Sequence, residues 1–158
     1  GDVYKRQILW LTLFRDKIDD IMEQVKCPVA VFVNRNYREG ALVSFVLGGM
    51  IDVFLLSYLN IMLQNGHSVR LFLFETDDEE FHQCIDDLLA HYADQIVVVW
   101  FAGVEELVTK ERDGLLVMSH LSYTKLSEDE LVMRELSSLL VIRRNKNKGE
   151  KNERLEIG

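Results

Sequence analysis

Hydrophobic positions along this chain fall into short dense runs separated by charged segments. Residues 29–34 (VAVFVN), 41–47 (ALVSFVL), 68–74 (SVRLFLF), 95–101 (QIVVVWF), 115–119 (LLVMS) and 138–143 (SLLVIR) are apolar runs rich in β-branched or aromatic side chains. Runs of this length predict strands. The unbroken apolar character of 95–101 further predicts a strand covered on both faces, as in a parallel sheet. Between these runs the period lengthens. In 8–26, Leu11, Phe14, Ile18, Ile21, Met22 and Val25 recur at helical spacing among Arg15, Asp16, Asp19 and Glu23, which predicts one amphipathic helix ended by Cys27 and Pro28. Residues 50–64 are too long for a strand and stop at Asn65-Gly66, predicting a mostly buried helix.

The stretch 75–94 predicts a helix whose acidic first turn suits the positive end of the helix dipole. Its inner face is Phe81, Cys84, Ile85, Leu88, Leu89 and Tyr92. A short helix is expected around 104–110, a turn at Asp113-Gly114, and a brief helix to Glu135 opened by a capping box from Ser127 to Glu130. Alternation of this kind predicts an α/β fold: a doubly wound, mainly parallel, five-stranded sheet from residue 41 onward, with an extra N-terminal helix and strand. The expected organisation is 1–36 as the end of a preceding similar half, 37–144 as the α/β domain and 145–158 as a disordered charged tail of little apolar content.

With 158 residues, 48% of them hydrophobic and 28% charged, the chain is long enough for one sizeable core. A net charge of −8 argues against a nucleic-acid partner, which needs a concentrated basic surface. Cys27 and Cys84 are far apart and lack metal-ligand spacing, so both read as small hydrophobes in a reducing compartment. Residues 41–63 could pass for a membrane span. Gly48 and Gly49 interrupt them, however, and Asp52 near the centre would cost about 2.5–3.5 kcal/mol on insertion. A buried strand and helix account for the same run, and no signal peptide is expected at the start.

Ligands of open α/β sheets meet the carboxyl ends of the strands. That rule gathers Gly48, Gly49 and Asp52 after one strand, Glu75 and Thr76 after the next, and Ser119 and His120 after 115–119. The expected crevice is either vestigial or the sensor of a small metabolite or nucleotide. His82, Cys84 and His91 share a helix at spacings that do not converge on a metal. Ser119-His120 is a sequence neighbour pair read as a strand-end loop, without the third orienting group of a catalytic site. The run Asp77 to Glu80 is read as a solvated helix start. No enzymatic activity, cofactor or metal is expected.

The piece CPVAVFVNRN, a short connector, and a strand ending in Gly48-Gly49 with Asp52 three residues on resemble the cytoplasmic C-terminal region of bacterial and plant monovalent cation:proton antiporters. That region is similar to two tandem universal-stress-protein-like halves. VFVNR matches the last strand of the first half (a pattern like CSVGILVDRG), 42–62 the opening of the second (FGGPDDREAL), and LLVMSHLS a strand followed by Gly-Arg. Asn34 replaces Asp, Met50-Ile51 replaces Pro-Asp, and Ser119-His120 replaces Gly-Arg.

The resemblance implies a universal-stress-protein-like, adenine nucleotide alpha hydrolase-like fold. It also implies a regulatory domain on the cytoplasmic face of the inner membrane, partnered by its own transmembrane antiporter domain and contributing to control of sodium or potassium exchange for protons. The alternative is a stand-alone universal-stress-type small-molecule or nucleotide-binding protein. ATP-binding members carry a Gly-x-x-Gly and a further Gly with Ser or Thr; 119–140 contain no glycine, so a triphosphate cradle is not expected. Domains of this kind dimerise through their last strands. A homodimer is therefore expected, with 29–34 pairing 138–142 within one chain or between two.

Overall fold

A computed structural model describes residues 9–12, by their backbone, and residues 28–144. Within them lie strands β1 (Leu9–Thr12), β2 (Val29–Val33), β3 (Val43–Leu47), β4 (Val69–Phe74), β5 (Ile96–Phe101), β6 (Leu115–Ser119) and β7 (Ser138–Arg143). The helices are α1 (Leu56–Gln64), entered through a 3-10 segment Met50–Leu55, then α2 (Glu79–Tyr92), α3 (His120–Leu126) and α4 (Glu130–Glu135). The strands form one seven-stranded sheet in the order β1-β2-β7-β6-β3-β4-β5. All neighbours are parallel except β2 and β7.

Alternate residues of each central strand supply two separate cores, which is why these strands read as unbroken apolar runs. On one face Val31, Val46, Phe72, Met118 and Val141 pack with Leu107, with Tyr123 and Leu126 of α3, and with Val132 and Met133 of α4. On the other, Phe45, Leu47, Leu71, Leu73, Val117 and Ile142 pack with Leu59 and Leu63 of α1 and with Phe81 and Ile85 of α2. Helices thus cover both faces, as a doubly wound sheet requires.

The five strands expected from residue 41 onward are present, as is the strand at 29–33. The helix expected over 8–26 is corrected at its start, because residues 9–12 form β1 and pair in parallel with β2 from Leu9↔Val29 to Thr12↔Phe32. The outer edge of β2 offers a row of backbone donors and acceptors, and pairing with them outweighs the local helical period. Residues 13–27, including Cys27 and most of the predicted stripe, and residues 145–158, expected to be a disordered tail, lie outside the described residues.

The apolar run 95–101 is likewise placed at an edge instead of in the covered centre. β5 pairs only with β4 among the described residues, and Val97 is 64% exposed. Residues 50–64 are helical, although Ile51 and Ile61 are exposed and one side faces solvent. No helix among the described residues is long and apolar enough to cross a membrane.

Local chemistry fixes the turns. Gly66 takes φ 84°, and the N–H groups of Asn65, Gly66 and His67 bond back to Ile61, Leu63 and Met62, closing α1. Gly114 lies where a Cβ would come within 2.7 Å of the Leu42 carbonyl oxygen, the same oxygen that accepts from Leu115 N–H and aligns β6 beside β3. Asp78 caps α2 by accepting from Glu80 and Phe81 N–H, so the acidic run is a helix start.

Two local expectations change near the C-terminal part of the sheet. Ser119-His120, expected as a strand-end loop, are the N-cap and the first residue of helix α3. The N-cap of α4 is Asp129, which accepts from Val132 N–H, and not Ser127, whose hydroxyl donates to the Thr124 carbonyl at the end of α3. Both residue types can cap, and the length of α3 decides which one does.

After β5, Glu106 folds back so that its Oε2 accepts from Ala102 N–H at 2.8 Å and Gly103 N–H at 2.9 Å. These two bonds hold its carboxyl below the ordinary glutamate range. A group whose folded pKa is depressed contributes stability above its unfolded value, about 4.3, and loses it as pH falls through the folded one. Glu106→Gln is therefore expected to lower the urea midpoint at neutral pH, with the gap to the parent chain closing on acidification below that value. A gap independent of pH would refute the assignment.

Candidate functional site

β3 lies at the centre of the winding. Its register with β6 is Val43↔Leu115, Ser44↔Leu116 and Phe45↔Val117, and on its other side it pairs with β4 from Ser44↔Arg70 to Leu47↔Leu73. The chain leaving β3 enters Met50–Leu55 and α1, whose buried residues belong to one face, whereas the chain leaving β6 enters α3 on the other. Two parallel neighbours whose connections diverge to opposite faces define the topological switch point of an open sheet.

Gly48 follows β3 directly, and Gly49 takes φ 150°, a left-handed region that a side chain rarely adopts. That turn begins the 3-10 segment, with Asp52 N–H bonded to the Gly49 carbonyl at 3.0 Å, and carries the Asp52 side chain back over the end of β3. Asp52 is fully buried. Its Oδ2 accepts from Gly48 N–H at 2.7 Å and from the Ser122 hydroxyl at 2.6 Å. Ser122 stands on α3, 70 residues away in sequence. Ser119, at the end of β6 and 2% exposed, accepts from Ser122 N–H at 3.1 Å and so caps α3.

The ends of β3 and β6 are thus tied through one carboxylate oxygen. Its other oxygen, Oδ1, meets no hydrogen-bond donor among the described residues. Leaving a buried acceptor unpaired costs about 1–3 kcal/mol. The linkage is also tight, since a Cβ on Gly48 would lie 3.2 Å from both Asp52 Oδ2 and Ser122 Oγ.

Of the residues singled out from the sequence, Gly48, Gly49, Asp52 and Ser119 meet at this point. His120, half-buried, is the first residue of α3 beside them, and its carbonyl accepts from the Thr124 hydroxyl at 2.9 Å. Glu75 follows β4 one strand over, exposed, with its N–H bonded to the Phe101 carbonyl. Thr76 Oγ1 accepts from Asp78 N–H at the head of α2. Ser122 was not anticipated. Its trace in the sequence is the spacing Ser119-x-x-Ser122, which suits a capped helix start but does not reveal the distant carboxylate that receives the hydroxyl.

The remaining candidates serve the packing. His82 Nε2 lies 2.7 Å from the Thr76 carbonyl, which makes that nitrogen the donor, and the ring stacks on Trp100 at a centroid distance of 4.9 Å. His91 Nδ1 lies 3.0 Å from the Asp87 carbonyl. Cys84 is a half-buried free thiol. No group of three or more His, Cys, Asp or Glu among the described residues could hold a metal ion.

Chemically, the switch point is a set of donors that already have an acceptor. Gly48 N–H and the Ser122 hydroxyl are directed to Asp52, and Ser122 N–H to Ser119. A phosphate would need these same groups, and the carboxylate that now takes them would repel it. Compared with protein-family models and with curated proteins, the chain matches none.

Ser122→Ala removes one of the two donors to a buried carboxylate oxygen and is expected to destabilise the fold by about 1.5–3 kcal/mol, the range for hydrogen bonds to charged groups. Chemical denaturation measures this. A loss within the scatter of ordinary surface substitutions, about 0.5 kcal/mol, would mean that the linkage contributes nothing.

Proposed function

We propose that this chain is a cytoplasmic regulatory module of a monovalent cation:proton antiporter, contributing to control of sodium or potassium exchange for protons at the inner membrane. The motif resemblance introduces this reading, and one structural observation carries it further. β2 meets β7 antiparallel in a register centred on Val31↔Val141, and each has a parallel neighbour on its outer side, β1 and β6 respectively. About that central pair, β1–β2 stands to β6–β7 as an approximate two-fold counterpart. Two similar α/β halves joined through their last strands would produce such a seam, which supports 1–36 as the end of one half and 37–144 as the next. The universal-stress-protein-like identity of the fold belongs to this same proposal.

Arg35 strengthens the seam on one side. Its N–H donates to Ser138 Oγ at 2.7 Å and its guanidinium to the carbonyls of Met133 and Leu136, tying the segment after β2 to the entry of β7. The gene supplies the first test. About a dozen apolar spans of about 20 residues each, upstream in the same frame, support the proposal. A frame that opens directly on a first strand overturns it and leaves the stand-alone universal-stress-type binding protein. In the full-length transporter, Val141→Asp at the fully buried centre of the seam is expected to alter the pH or cation dependence of exchange in membrane vesicles. Unaltered dependence in a correctly inserted transporter argues against a regulatory role.

The proposal includes a homodimer. β2 and β7 already pair with each other within one chain, so copies would meet through other surfaces. Light scattering over a concentration series is expected to give the dimer mass; the monomer mass throughout would refute dimerisation of this segment.

A further inference from the structure

The switch point holds an acidic group that belongs to the protein itself. Asp52 reaches it because Gly48 and Gly49 turn the chain sharply after β3, and its Oδ2 lies at hydrogen-bond distance from a backbone N–H of one strand end and a hydroxyl beyond the other. A backbone amide and a hydroxyl converging on one oxygen make the kind of donor pair that receives an oxyanion in many α/β sites. Two further observations bear on what that carboxylate does there. Asp52 Oδ1 is buried and meets no donor among the described residues, so the group is only half satisfied. The backbone beside it is open, since a Cβ on Gly49 would meet nothing within 4 Å.

We infer that Asp52 is an internal occupant of an oxyanion site at the switch point and that its carboxylate holds the site shut against anionic ligands. The geometry separates this role from that of a simple structural tie. A tie would be optimised by pairing both carboxylate oxygens, whereas here one oxygen takes the converging donors and the other goes without. The charge matters as much as the shape. While Asp52 stays in place, a phosphate group approaching Gly48 N–H and Ser122 Oγ meets an acceptor of its own sign and finds both donors taken. Once the carboxylate is removed, the donors remain, carried by the end of β3 and by α3. The inference concerns this chain's own contacts and does not depend on the antiporter reading.

The test uses the 158-residue chain, with inorganic phosphate as probe and formate as control, followed by thermal unfolding and by the Gly48 amide resonance. The parent chain is expected to show no response to phosphate beyond that to chloride at equal ionic strength. In Asp52→Ala, phosphate is expected to raise the unfolding midpoint and shift the Gly48 amide saturably, and adding Ser122→Ala is expected to abolish both effects. Asp52→Asn, which keeps the shape and removes the charge, is expected to respond more weakly in the same direction. Should either variant be unfolded in plain buffer, phosphate is expected to restore its folded spectrum.

Several outcomes overturn the inference. These are a phosphate response in the parent chain equal to that of the variants, folded variants that ignore phosphate, and unfolded variants that phosphate does not rescue. Stabilisation of Asp52→Ala by formate alone also overturns it, because the vacated space would then fit only the group that left it.

Discussion

The parallel pairing of β3 on both of its sides is the constraint from which the rest of the structure follows. A parallel strand cannot be reached by a tight hairpin, so each connection must cross a face of the sheet and bring apolar side chains with it. From β3 the chain builds toward β4 and β5 through α1 and α2 on one face. It then returns past β3 to place β6 and β7 with α3 and α4 on the other. Both faces of the central strands are thereby covered, and Phe45, Phe72, Leu73 and Met118 are almost wholly removed from water.

The same constraint creates the switch point. Where neighbouring parallel strands send their connections to opposite faces, backbone and side-chain donors at the strand ends are left without ladder partners. In this protein those donors are taken up internally. The glycine pair permits the turn, Asp52 supplies the acceptor, and Ser122 completes the tie from the opposite face. A buried carboxylate with only one satisfied oxygen is a costly way to close a crevice. Among the described residues Asp52 is the one acidic side chain that is buried.

At the other side of the sheet, β2 and β7 join antiparallel where every other neighbouring pair is parallel. Ala30, Val31 and Val141 are fully buried there, so the seam is as well packed as the centre of the sheet. β5 is different in kind. Val97 is 64% exposed at an edge that carries no charged residue between Ile96 and Phe101.

Much of the fold could be read directly from residue order. Strands β2 to β7 announce themselves as dense apolar runs, which mark a strand but not its coverage, since β5 lies at an edge with Val97 exposed, and Asn65-Gly66 and Asp113-Gly114 mark turns through backbone preferences that act locally. Asp78 is recognisable as a helix start for the same local reason. Tertiary structure decided everything that depends on a distant partner. Residues 9–12 became a strand because the edge of β2 was there to pair with, and Ser119-His120, read from the sequence as a strand-end loop, open helix α3. The carboxylate of Asp52 could be suspected from its place after a glycine pair, but its partner Ser122 could not, because the bond joins residues 70 positions apart. Local propensities are written in neighbouring residues, whereas a hydrogen bond across a switch point exists only once parallel pairing has brought the ends of β3 and β6 together.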